Sequence, residues 1–124
     1  MDNSNYTILI VEDEEDLLEI CEDTFEMECF KVVVARDGEE GLELFLSRDI
    51  DLILSDSKMP KMGGIELLNK IGKSHKNTPP FFLLTGDVSL SEDELIKKGA
   101  KGLILKPFDL DEIVKKVEAT LTER

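Results

Sequence analysis

The chain has 124 residues, the length of one ordinary domain, and carries 28 acidic against 15 basic residues for a net charge of −13. That balance excludes a binder of nucleic acid or of anionic membrane surfaces, whose affinity comes from clustered Lys and Arg; Lys97, Lys98 and Lys101 are too few to supply it. No apolar run approaches the ~20 residues of a membrane span, and the polar start MDNSNYT lacks a secretory leader's basic and apolar segments, so a single cytoplasmic domain over residues 1–124, with no membrane insertion, is expected.

Apolar runs alternate with amphipathic stretches from end to end, which predicts an α/β domain built on a parallel sheet. A first strand at Thr7–Val11 leads into Glu12 and Asp13, and the helix after it places Leu17, Leu18, Cys21 and Phe25 on one face. Cys29 continues that pattern eight residues beyond Cys21. Along a helix this is ~12 Å, too far for a disulfide, so both cysteines read as small core residues. A second strand, Lys31–Ala35, passes through Asp37-Gly38 to a helix bearing Leu42, Phe45 and Leu46. The third strand, Asp51–Leu54, runs into Ser55 and Asp56 and a loop with Lys58 and Pro60; Met62-Gly63-Gly64 then precedes a helix with Leu67, Leu68 and Ile71. The sole histidine, His75, lies in the polar stretch SHKN and reads as a loop residue. Pro79-Pro80 opens a fourth strand, Phe81–Leu84, followed by Thr85 and Gly86. The helix expected between Ser91 and Lys98 has only Leu95 and Ile96 to bury and is predicted to be the most mobile element. A fifth strand, Gly102–Leu105, ends on Lys106, and Leu110, Ile113, Val114, Val117 and Leu121 give the last helix its 3.6-residue stripe. Four of the five strands are almost wholly apolar, as expected where helices cover both faces of a sheet.

The chemistry collects at the strand ends, where open α/β sheets bind their ligands. Two unit charges ~4 Å apart repel by roughly 4 kcal/mol at an effective dielectric of ~20, so Glu12, Asp13 and Asp56 brought together call for a divalent cation. Mg²⁺ suits this set; Zn²⁺ wants His or Cys, and Ca²⁺ wants a larger oxygen cage. Asp56 is expected with its carboxylate exposed at the sheet's edge, a nucleophile able to form an aspartyl phosphate. Lys106 supplies positive charge, and Thr85 a hydrogen bond, to phosphoryl oxygens. Gly72-Lys73-Ser74 is no P-loop, because Leu67 stands where glycine is required. Leu17 or Leu18 at the sixth position likewise rules out a calcium loop beginning at Glu12 or Asp13.

In ILIVEDE, DLILSDSKMP, FFLLTGD and GLILKPF the chain resembles a receiver domain of bacterial two-component signalling, and it does so over its whole length, of the single-domain, chemotaxis type. The resemblance implies a flavodoxin-like five-stranded parallel sheet of order 2-1-3-4-5 with helices on both faces. It also implies an acidic pair at Glu12 and Asp13, a phosphoacceptor at Asp56, a hydroxyl at Thr85, a lysine at Lys106, a backbone carbonyl of Lys58 offered to Mg²⁺, and a cis Lys106–Pro107 bond. The implied donor is a histidine kinase or histidine phosphotransfer domain, and the implied reader is a downstream target protein. Two positions depart from the family's usual residues: Glu12 replaces the commoner aspartate, and Leu103 stands where a Tyr or Phe ring commonly moves during switching. Leu103 shifts the expected switch to the Gly86 loop and the poorly anchored fourth helix. Two alternatives stand beside this reading. A phosphatase with an Asp nucleophile would need a second aspartate two residues on, where the chain has Lys58. A receiver-like binding module that is never phosphorylated would not need all five site residues.

Overall fold

The computed structural model describes residues 2–74 and 78–123, and His75 lies outside the described residues. The elements follow in the order β1 (Thr7–Val11), α1 (Glu15–Met27), β2 (Lys31–Ala35), α2 (Gly38–Ser47), β3 (Leu52–Asp56), α3 (Gly64–Ser74), β4 (Phe81–Thr85), α4 (Glu92–Lys97), β5 (Gly102–Leu105) and α5 (Leu110–Thr122). The strands form one parallel sheet in the order β2-β1-β3-β4-β5. The chain leaves β1 outward to β2 and returns to the other side of β1 as β3, so the strand order reverses between β1 and β3. That is where a parallel α/β sheet opens a crevice at its carboxyl ends.

Alternation along each strand divides the core into two layers. Ile8, Ile10, Leu52, Leu54, Phe82 and Leu84 meet Leu18, Cys21 and Phe25 of α1 and Ile113, Val114, Val117 and Leu121 of α5. Leu9, Val11, Ile53, Phe81 and Leu83 meet Phe45 of α2, Leu67, Leu68 and Ile71 of α3 and Leu95 of α4. A strand apolar on both faces reads as an unbroken hydrophobic run, which is why these strands are evident from sequence.

Side-chain caps start three of the helices: Asp37 accepts the Glu40 N–H at 2.9 Å, Ser91 the Glu94 N–H at 3.3 Å, and Asp109 the Asp111 N–H at 2.9 Å. Cys29 corrects the sequence expectation. It is exposed, one residue past the C-cap of α1, with φ +73. The Phe30 N–H reaches Phe25 O at 3.1 Å and the Cys29 N–H reaches Glu26 O at 2.9 Å, while the Phe25 and Phe30 rings stand 5.6 Å apart. This is a Schellman termination with its apolar contact, made with cysteine in the left-handed position that glycine usually fills. Cys21 is buried as expected, its thiol pushed up to about 11, chiefly by burial.

The helix α4 is short, six residues, and Leu95 is its one buried residue, whereas Ile96 is 47% exposed. Gly99, one residue past the C-cap of α4, takes φ +110, a value that favours glycine. The first turn of α4 also reaches the sheet: Glu92 Oε2 accepts the N–H of Leu103 on the edge strand β5 at 2.9 Å.

Candidate functional site

Strand register assembles the site. Glu12 and Lys106 directly follow β1 and β5, whereas Asp56 and Thr85 are the last residues of β3 and β4. Both of those strands run further than their apolar residues predict. Asp56 pairs with Leu84 in the ladder, and the Ser57 N–H continues it to Leu84 O at 3.1 Å.

One carboxylate oxygen from each of Glu12, Asp13 and Asp56 lies within 4.8 Å of the others. The Lys106 ammonium sits between two of them, 3.2 Å from Glu12 Oε1 and 3.4 Å from Asp56 Oδ1. Asp56 also accepts the Ser57 N–H on Oδ1 at 2.8 Å. The expected exposure of Asp56 is corrected: the residue is 8% exposed, at the end of the central strand. Access comes from an open cleft of about 490 Å³ lined by Asp56, Ser57, Lys58, Thr85, Gly86 and Lys106, among others.

Glu12 is 1% exposed, and burial, joined by the charge of Asp56, pushes its carboxyl up to about 7. The Glu14 N–H, donating to Oε2 at 3.1 Å, and Lys106 oppose that rise without cancelling it. Burial works against the Lys106 ammonium, but the Asp56 and Glu12 carboxylates outweigh it and hold its pKa above the ordinary lysine value.

Thr85, 1% exposed, faces the same cleft from β4. Its Oγ1 accepts the Asp87 N–H at 3.0 Å and the Ser57 hydroxyl at 2.7 Å. Lys58 is exposed on the rim, Gly86 is exposed with open space around it, and Leu103 is half-buried against the α3 and α4 side of the core. The Lys106–Pro107 bond is cis. Ser57 and Glu92 are contacts that the sequence did not announce. Each depends on two elements that only the folded sheet brings together, and a serine or glutamate in a loop carries no signal of its own.

The five-stranded parallel sheet of flavodoxin-like order thus gathers carboxylates from the ends of β1 and β3 and a lysine from the end of β5. Residues 8–118 match the response regulator receiver domain, and the chain belongs to that family. It is 38% identical over 114 residues to the transcriptional regulatory protein CpxR of Escherichia coli K12, covering 92% of this chain and 48% of that one. With the response regulator ArlR of Staphylococcus saprophyticus the identity is 35%, covering 92% and 51%. The chain therefore spans about half the length of the curated relatives it matches. CpxR is named a transcriptional regulator, so the expectation of no nucleic-acid partner finds no support in it. Among solved structures, the receiver domain of a Francisella response regulator superposes with a TM-score of 0.89 at 29% identity, covering 96% of this chain and 98% of that one. TrrA of Thermotoga maritima, solved in complex with Mg²⁺-BeF, gives 0.83 at 30% identity, with 93% and 98% covered. No described helix is long and apolar enough to cross a membrane.

Proposed function

We propose that the chain is a response regulator that accepts a phosphoryl group on Asp56 from a histidine kinase or histidine phosphotransfer domain. The observation that carries this reading is the convergence of Glu12, Asp13 and Asp56 with Lys106 held between the first and last. Three carboxylates crowded around one ammonium leave negative charge in excess, and they are hard oxygen donors, so the set fits Mg²⁺. Glu12, Asp13, Asp56 and the Lys58 carbonyl would hold it. Bound there, the ion would offset negative charge on the phosphoryl oxygens. Asp56 supplies the attacking oxygen, Lys106 a cation toward the phosphoryl group, and Thr85 a hydroxyl donor; phosphoryl transfer needs positioning and charge more than further covalent help. The domain works in the cytoplasm and addresses a protein target through the Gly86 loop and α4. It is a signalling acceptor whose only chemistry is its own phosphorylation and dephosphorylation. Incubation with acetyl phosphate and Mg²⁺ tests the reading: one phosphoryl group per chain, mapped to Asp56, supports it, and no uptake removes it.

Protons and the cation compete for Glu12. Its folded pKa of about 7 lies above the ordinary 4.5, so the folded state holds an extra proton between those values. The corresponding stability is complete below ~4.5 and is lost as the pH rises through ~7. Mg²⁺ requires the carboxylate form. The rise in melting temperature on adding Mg²⁺ is therefore expected to be small at pH 5.5 and to grow through pH 8, as read by thermal melts with and without chelator. An increment independent of pH would contradict this.

Lys58 stands two residues past the acceptor, on the rim of the cleft. Its ammonium has donors but no acceptor and cannot orient a hydrolytic water as an amide can. The phosphoform is expected to outlive that of Lys58→Asn several-fold when acetyl phosphate is removed and the label is followed in time. Equal decay would make Lys58 an ordinary surface residue.

A further inference from the structure

Ser57 touches both halves of the site at once. Its N–H lies 2.8 Å from Asp56 Oδ1, and its hydroxyl donates to Thr85 Oγ1 at 2.7 Å. Its backbone is held from the other side, where the carbonyl accepts the Gly64 N–H at 3.0 Å. The approach is so close that a Cβ on Gly63 would stand 2.7 Å from that oxygen. With the backbone fixed at both its N–H and its carbonyl, the staggered χ1 rotamers are the freedom left to the Ser57 hydroxyl, and the one adopted reaches Thr85.

A hydroxyl oxygen has two acceptor sites and one proton. On Thr85 the first site takes the Asp87 N–H at 3.0 Å, and the second takes Ser57. With Ser57 as the donor in that shared contact, the Thr85 proton makes no hydrogen bond to any described residue. Because Thr85 is 1% exposed and lines the cleft, the direction left to that proton is the one from which a phosphoryl group arrives.

We propose that Ser57 is a positioning residue: by filling the second acceptor site of Thr85, it makes that hydroxyl a one-way donor toward the phosphoryl oxygens on Asp56. This rests on the reading of Asp56 as the acceptor. Ser57 itself touches no reacting atom through its hydroxyl. Without it, the Asp87 N–H alone orients the Thr85 hydroxyl, and the proton has a second direction to take besides the one toward the phosphoryl group. The loss corresponds to one modest hydrogen bond, ~2- to 10-fold in affinity.

The probe is beryllofluoride with Mg²⁺, titrated into the whole chain and followed by the NMR shift of the Gly86 amide, which every variant retains. Ser57→Ala is expected to raise the apparent Kd by ~2- to 10-fold, and Ser57→Thr, which keeps a donor, to restore it. In a Thr85→Ala background the Ser57→Ala loss should vanish, since no hydroxyl remains to be oriented. A purely structural role for Ser57 would persist in that background and would overturn the proposal. Equal or tighter binding by Ser57→Ala beside a wild type that binds would also overturn it while leaving the acceptor reading intact. A wild type that fails to bind would remove both.

Discussion

Asp56→Asn is expected to abolish phosphorylation by acetyl phosphate in Mg²⁺, with no mass gain where the wild type gains one phosphoryl group. Asparagine keeps the shape of the side chain, and an oxygen for the Ser57 N–H, but an amide is not a nucleophile toward phosphorus. The fold should survive, because the change removes a buried charge beside Glu12; melting no lower than wild type is the control. Asp13→Asn leaves the nucleophile in place and removes one of the three converging carboxylates, so labelling should continue but slow severely. Intact mass followed by peptide mapping decides the matter. Phosphate on Ser55, Ser57 or Thr85 would defeat the mechanism, and Ser55 is the most informative of these because it is fully buried with its hydroxyl given to Asp56 O at 2.9 Å.

The second large effect is on stability and comes from Gly64, the first residue of α3. A Cβ there would overlap the carbonyl oxygen of Asp56 and stand 2.7 Å from Leu83 Cδ1 and 3.0 Å from Ser55 Oγ. The obstructing carbonyl belongs to a central strand, so it cannot move aside as a side-chain tip can. Gly64→Ala is expected to cost about 3 kcal/mol, the upper part of the range for overpacking, and to lower Tm by roughly 10 °C. Gly86→Ala is the comparison: a Cβ there meets nothing within 4 Å, and its melting point should stay within ~2 °C of wild type. Matching melts for the two variants would mean that α3 can slide away from β3 at little cost.

How far the sequence carries depends on where burial is written as hydrophobicity. The strands are legible because both faces are covered, which leaves Ile8–Val11 and Phe81–Leu84 as continuous apolar runs; the order of the sheet came from family resemblance. Strand ends are less legible. Ser55, Asp56 and Thr85 look like loop residues, yet they lie in the ladder because their backbone bonds, not their side chains, decide membership. The end of α1 gave no glycine to mark it, so Cys29 read as one more core position although it is the left-handed cap. Charge placement was legible at Glu12, Asp13, Asp56 and Lys106. The near-complete burial of Glu12 was not, because it follows from what α1, Lys106 and Asp56 exclude from its surroundings.

The bond from Glu92 to the Leu103 N–H has a consequence for association. On its outer side β5 has no neighbouring strand among the described residues, and an open edge is a template on which another chain can add a strand. A carboxylate laid across such an edge both occupies a donor and repels an approaching backbone carbonyl. This guard stands on the shortest α-helix among the described residues, the one held by a single buried side chain. Any displacement of α4 lifts the guard together with the helix, so the chain's resistance to edge-to-edge aggregation is only as firm as its least anchored element.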